Sequence, residues 1–258
     1  MVSIHPTALV SNKAKLGENV SIGPFTIIHD DVEIGDNTII TSHSVIYDGT
    51  RIGKNCKIYQ GVSISHLPQI SKISQVSSFV KIGDGTTIHE FVTIHKASKD
   101  GNYTSIGNNV LLMAYSHIAH DVFIGDNCII VNAVQIGGHV HIDDWAIIGG
   151  STPVHQFCMV GKHAMVGGGF KVVKDVPPFV LAGEEPLKFN GLNSVGLRRR
   201  GFTSEQLETL KKVYKLIYDS GLNVSQAKAK IIEDFPSDPL AKEVVDFIDK
   251  SKRGIIPR

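Results

Sequence analysis

Residues 106–142 read IGNNVLLMAYSHIAHDVFIGDNCIIVNAVQIGGHVHI. Aliphatic residues stand at Ile106, Leu112, Ile118, Ile124, Ile130, Ile136 and Ile142, every sixth position without a miss. Glycine follows several of them directly, at Gly107, Gly125 and Gly137. Neither a strand, with its period of two, nor a helix, with 3.6, gives this spacing. A parallel β-helix does, because each hexad supplies one short strand and one tight corner.

The same phase runs outward in both directions. It begins at Ile4 and passes through Val10, Leu16, Ile22, Ile28, Ile34, Ile40, Ile46, Ile52 and Ile58 to Ile64. It resumes at Ile82, Ile88 and Ile94, and after Ile142 continues through Ile148, Val154, Val160 and Val166 to Val172. A small or β-branched residue stands two places before the aliphatic one, as at Ala14, Val20, Thr26 and Val32. The fold class is therefore an all-β solenoid. Three hexads close a triangular coil of about 18 residues, and coils stack about 4.8 Å apart. Glycine at the corner supplies either a positive φ or room for close backbone approach.

Two stretches break the pattern. In Ser65–Phe79 the glycines vanish while Ser, Gln and Pro accumulate, and Lys96–Ser105 reads KASKDGNYTS. Both are expected to be loop excursions, and long loops on a rigid solenoid carry function. The solenoid is expected over residues 1–174, followed by a connector over 175–202 that opens on Asp175-Val176-Pro177-Pro178. The period then changes to a helical one over 203–258. Thr203 and Gln206 have capping-box spacing, and Leu207, Leu210, Val213, Tyr214 and Ile217 follow on one face until Gly221. A second helix is expected near Ser225–Glu233 and a third from Asp238-Pro239, with Leu240, Val244, Val245 and Ile248 inward.

Composition narrows the function. The formal charge is +1 over 258 residues, so no global field points to nucleic acid. No stretch is long and apolar enough to span a bilayer, and MVSIHPTALV lacks the features of a signal peptide. Cys56, Cys128 and Cys158 each precede a repeat aliphatic by two, which places them as buried, inert thiols rather than disulfide or zinc partners.

The chemically able residues cluster in Ser116–Asp121, with Gly138-His139 and His155-Gln156 further on. One coil after His120 comes Gly138, and one coil after that Gln156, so the three form a column on one outer edge. His117, His139 and His155 flank it. Histidine is the usual general base near neutral pH, Asp121 can orient the ring, and the Gly138 N–H can meet an oxyanion. The bland alternative is a set of exposed corner histidines. A zinc site is a further alternative, because hexapeptide-repeat carbonic anhydrases bind zinc through histidines. His117 and His120 stand three apart where that family spaces them by five, and the column is read as metal-free.

Several stretches together resemble the UDP-N-acetylglucosamine O-acyltransferases that open lipid A biosynthesis. They are IHPTALV (4–10), VTIHK (92–96), SHIAHD (116–121), IGGHV (136–140), VHQF (154–157), DVPPFVLAGEEP (175–186) and GLNSVGLRRRGF (191–202). The resemblance implies a left-handed parallel β-helix of hexapeptide repeats with a small C-terminal α-helical domain. It implies transfer of a (3-hydroxy)acyl chain from acyl carrier protein, with no cofactor beyond that carrier's phosphopantetheine arm and no metal. The acceptor is the glucosamine 3-position of a UDP-sugar. The implied enzyme is a cytoplasmic homotrimer.

Residue by residue, the resemblance makes His120 the base, Asp121 its partner and Gly138 the oxyanion donor. It makes Lys72, His117, His139, His155, Gln156, Asn193, Arg199 and Arg200 substrate contacts, and Gly168 the limit on acyl length. Arg198-Arg199-Arg200 is the chain's basic run, suited to phosphate or an acidic carrier, or else a solvated charge run. Two departures bear on the acceptor. Ile70 stands where the family carries an aspartate, and Val195 where some members carry a glutamate. They leave open an N-acyltransferase acting on a 3-amino sugar.

Overall fold

The computed structural model describes residues 1–72 and 76–258. The hexads form three parallel sheets, which reach 11, 8 and 8 strands once two later strands extend the first, and most strands are two residues long. Each sheet is one face of a triangular prism. Ile118 of the strand His117–Ile118 pairs with Ile136 of Gln135–Ile136, and that with Val154 of Pro153–Val154, the expected 18-residue coil. The repeat aliphatics point inward and stack as a dry column; Ile46, Ile64, Ile94 and Ile118 are all 0% exposed. Burying each such side chain contributes about 1.5–3 kcal/mol. The thiols of Cys56, Cys128 and Cys158 are buried in the same interior, and burial pushes Cys128 up to about 12 and Cys158 to about 11.

The register shows where the chain leaves the prism. Ile64 pairs with Ile94, thirty residues on, and Ile94 with Ile118, twenty-four on. The surplus is the two excursions. Ile70, although in phase with the repeat, is exposed rather than inward. Ile73 falls outside the described residues.

The glycines after the aliphatic residues serve close approach, not positive φ. A Cβ on Gly23 would lie 1.3 Å from the Thr41 carbonyl oxygen of the next coil. The left-handed corners come two residues later, at Asn19 after Gly17, Asn37 after Gly35 and His139 after Gly137. Even Phe25, Phe91 and Phe157 adopt φ of 57–65° there. Such a φ is uncommon for a bulky residue. Each of these rings packs on a corner ring of the adjacent coil, Phe25 tilted against His43 at 5.0 Å and Phe91 and Phe157 stacked on Tyr115 and His139 at 5.2 and 4.7 Å.

Within residues 175–202, expected as a connector, lie two strands and a short helix. Val180–Gly183 adds in parallel to Met165–Val166, and Lys188–Leu192 adds antiparallel beyond it. The first helix, α1 (Ser194–Arg199), follows, a short element without a long apolar face for the sequence to announce. Three more helices close the chain: α2 (Ser204–Tyr218), α3 (Val224–Asp234) and α4 (Pro239–Lys250). Thr203 and Gln206 form the expected capping box. Tyr214 is buried against the top of the prism, its hydroxyl donating to the Pro178 carbonyl at 2.5 Å.

Candidate active site

The His117–Ile118 strand belongs to the second face and Phe123–Ile124 to the third, so His120 and Asp121 occupy the edge between them. Asp121 makes the turn at φ 58°. Its backbone N–H donates to Thr104 Oγ1 at 2.9 Å, which fixes the corner. Its carboxylate accepts the Ser98 N–H at 3.1 and 3.3 Å, and Oδ2 lies 2.7 Å from His120 Nδ1. Burial alone would raise its pKa, yet the bonds from Ser98 and His120 outweigh it and hold the carboxyl below its ordinary value. An ionised Asp121 can only accept, so Nδ1 carries the imidazole proton and Nε2 keeps its lone pair.

Nε2 is held beside Gly138. A Cβ built there would stand 2.6 Å from His120 Cε1 and 2.7 Å from Nε2, so the ring packs directly over the glycine. The Gly138 N–H makes no hydrogen bond with another described residue. An open groove of about 380 Å³ on the second face is lined by Gly138, His117, His155 and Gln156 among others. A base with a free lone pair, an unpaired backbone donor one coil above it, and a groove lined by that donor and by Ala119 next to the base can deprotonate a nucleophile and stabilise an oxyanion.

His117 is set from behind. Its Nδ1 lies 2.7 Å from Thr93 Oγ1, and its ring meets His95 edge-on at 5.0 Å. His95 is buried, and burial, with smaller contributions from His117, His66 and His120, lowers it to about 4. Burial and then His120 also lower His117. His155 Nδ1 lies 3.0 Å from the Gln156 carbonyl, an N–H donor to that oxygen, which leaves Nε2 facing outward as an acceptor.

The stripe expected to gather all four histidines is split. His139 takes the φ 59° corner position, and its ring turns round the edge away from the groove. It stacks on Phe157 at 4.7 Å, meets His120 edge-on at 5.1 Å and brings Nε2 within 3.6 Å of Asp121 Oδ2. From there it opens on a separate cleft of about 710 Å³ against α4.

Other expected site residues lie on other edges of the same chain. Asn193 is buried and caps α1, its Oδ1 accepting from the Gly196 N–H and its Nδ2 donating to the His163 carbonyl. Arg200 lies over the Trp145 ring at 5.1 Å, with Nη1 3.3 Å from His163 Nδ1. Both therefore sit at the edge between the third and first faces, while Arg199 is exposed on α1. Gly168 stands exposed at the remaining edge, after Met165–Val166, and Lys72 is exposed in the first excursion. Thr93, His95 and Ser98 are the contributors that reading the column alone missed. Ser98 lies in the excursion flagged for function, and a register of twenty-four sets Thr93 beside His117.

A coiled prism with a histidine at a corner and a groove on one face defines the class of hexapeptide-repeat transferases. The bacterial transferase hexapeptide profile matches residues 13–48 and 103–138, and the profile for domain 2 of UDP-N-acetylglucosamine O-acyltransferase matches 175–256. The structure superposes on the UDP-N-acetylglucosamine acyltransferase of Bacteroides fragilis with a TM-score of 0.96 and 44% identity, covering 98% of this chain and 99% of that one. For the Francisella novicida enzyme the values are 0.96 and 42%, covering 100% and 94%. The chain belongs to the UDP-N-acetylglucosamine O-acyltransferase family, with its left-handed β-helix. The Chlorobium phaeobacteroides acyl-[acyl-carrier-protein]–UDP-N-acetylglucosamine O-acyltransferase is 47% identical over 81 residues, an alignment spanning 31% of either chain.

Proposed function

We propose that this enzyme moves an acyl chain from acyl carrier protein to the 3-hydroxyl of UDP-N-acetylglucosamine, with His120 as general base. The observation that carries the reading is the fixed tautomer of His120, whose Nδ1 is held by Asp121 at 2.7 Å while Nε2 sits against Gly138. The sugar hydroxyl oxygen attacks the thioester carbonyl as Nε2 takes its proton. The carbonyl oxygen becomes an oxyanion that the Gly138 N–H meets. The C–S bond then breaks, and the departing sulfur of the phosphopantetheine arm recovers the proton from His120. No acyl-enzyme intervenes, because the three cysteines are buried and held as thiols. The reaction as written needs no metal and no cofactor of the protein's own.

His117, His155 and Gln156 line the groove and serve as contacts to the acceptor and the carrier arm. Asn193, Arg199, Arg200 and Gly168 act from a neighbouring subunit of a homotrimer. Two features support that assembly. These residues lie on edges remote from His120 in one chain, and the first face turns a continuous apolar ladder outward, Leu111, Ile129, Ile147 and Met165 paired in register. At the same coils the third face mixes polar and apolar residues outward, Ser105, Phe123, His141 and Met159. Among the described residues no helix is long and apolar enough to cross a membrane. We place the enzyme in the cytoplasm, where carrier thioesters and UDP-sugars are made.

The test is incubation with UDP-N-acetylglucosamine and a panel of acyl carrier protein thioesters, reading product by mass. One acyl group per sugar nucleotide, released by mild alkali as an ester, is the expected result. An alkali-stable amide formed only with a 3-amino sugar contradicts the hydroxyl assignment and follows instead from Ile70.

A further inference from the structure

Three ligand-bearing atoms converge on the side of His120 that faces away from the groove. His120 Nδ1, Asp121 Oδ2 and His139 Nε2 all lie within 4.8 Å of one another. The two ring nitrogens approach the same carboxylate oxygen, at 2.7 and 3.6 Å. A tetrahedral zinc ion with bonds near 2.0–2.2 Å separates its ligand atoms by about 3.4 Å. The spacing of His139 from the carboxylate already fits, that of His120 fits after the ring and carboxylate part by less than about 1 Å, and the two ring nitrogens, within 4.8 Å of each other, close by up to about 1.4 Å. Asp121 is ionised and anchored by Ser98, so the site holds one fixed anionic ligand. His139 opens on the cleft against α4, so an ion reaches the trio without crossing the groove. Two imidazoles and one carboxylate suit zinc and its transition-metal neighbours rather than magnesium or calcium.

We propose that His120, Asp121 and His139 form an inhibitory zinc site. The reason for inhibition is the imidazole tautomer. A neutral ring has one lone-pair nitrogen and one N–H. Zinc on Nδ1 takes the lone pair there and leaves the proton on Nε2, so the nitrogen beside Gly138 becomes a donor and can no longer accept a proton. Zinc thus displaces the Nδ1 proton rather than either substrate, and saturating UDP-N-acetylglucosamine does not relieve it. The inhibitory step rests on His120 being the base, whereas the binding step does not.

The experiment titrates metal-stripped enzyme with zinc in competition with a chromophoric chelator, and measures turnover in parallel. One zinc per chain is expected, with activity falling in step with occupancy and restored by EDTA, and with no effect of magnesium. His139→Ala should weaken zinc binding by at least about tenfold, since even outer-shell partners of metal ligands are worth 10–100-fold in affinity. His155→Ala, in the groove and outside the trio, should bind zinc as the parent does. Wild-type enzyme that holds no zinc at micromolar concentrations, or an unchanged affinity in His139→Ala, overturns the site. Zinc bound through His139 with turnover untouched leaves the site standing and overturns the assignment of His120 as base.

Discussion

Gly138→Ala separates the catalytic geometry from the fold. The added Cβ would stand 2.6 Å from His120 Cε1 and 2.7 Å from Nε2, well inside contact distance. The backbone at Gly138 has no positive φ, so alanine adds no conformational strain. The obstructing atoms belong to the end of one side chain that is 17% exposed, and the ring can swing outward. The swing lengthens the 2.7 Å bond from Nδ1 to Asp121 and carries Nε2 away from the Gly138 N–H. Base and oxyanion donor are thereby misaligned together. Loss of one oxyanion donor costs about 10²–10³ in kcat, or roughly 2.7–4 kcal/mol, and that is the expected deficit. Stability should change by less than about 1 kcal/mol, because no buried contact is removed. Turnover can be followed by a thiol-reactive dye that captures the released carrier thiol, since Cys56, Cys128 and Cys158 are buried and contribute no background. A folded Gly138→Ala enzyme with activity within about threefold of wild type, against the 10²-fold minimum for a lost donor, refutes the placement of the reacting carbonyl at this glycine.

Asp121→Asn removes the carboxylate that holds the Nδ1 proton. It should lower kcat by about 10²–10⁴, the range for loss of a general base, with KM little changed; a kcat equal to wild type contradicts the orienting role. His163 is buried, and burial, then Arg200 and Lys162, lowers it to about 4. A depressed histidine contributes stability that is complete above its unfolded value near 6.5 and is lost as pH falls from there towards 4. His163→Phe should remove up to about 3 kcal/mol of that acid sensitivity, seen as a flatter dependence of melting temperature on pH. Phenylalanine suits both the φ, as Phe157 shows at 65°, and the stack between Trp145 and Phe179. Gly168→Met should shift preference to shorter acyl donors in a mixed-donor competition, each excluded methylene being worth about 0.8 kcal/mol. Its Cβ lies 3.0 Å from the Gly150 oxygen, so Gly168→Ala is the gentler companion, and an unchanged product ratio in both places the ruler elsewhere.

The hexad period makes the prism, its coil length and the stacking of Gly138 over His120 readable in the sequence, because interior aliphatics and coil geometry are repeated some two dozen times and the errors do not accumulate. Three features escaped for physical reasons. The corner conformation is carried by position rather than residue type, so His139 at φ 59° turned off the stripe that simple periodicity assigned it. Val180–Gly183 and Lys188–Leu192 lack the hexad signal, yet they complete a sheet edge that Met165–Val166 would otherwise leave open. Ser98 and Thr93 reach the site through the second excursion, which changes the register from eighteen to twenty-four, and no local pattern announces that. Asn193, with both ends of its amide engaged by Gly196 and His163, illustrates how a residue motif alone does not reveal what a side chain touches.

The most direct test of the central claim is His120→Ala, assayed with UDP-N-acetylglucosamine and an acyl carrier protein thioester beside a measurement of UDP-N-acetylglucosamine binding and of the melting temperature. Because Nε2 is the free lone pair beside Gly138, turnover should fall by about 10²–10⁴ while nucleotide binding and melting stay close to wild type. A variant that is folded, binds the nucleotide and still turns over within about threefold of wild type contradicts His120 as the base, since even the weakest general base contributes more than that.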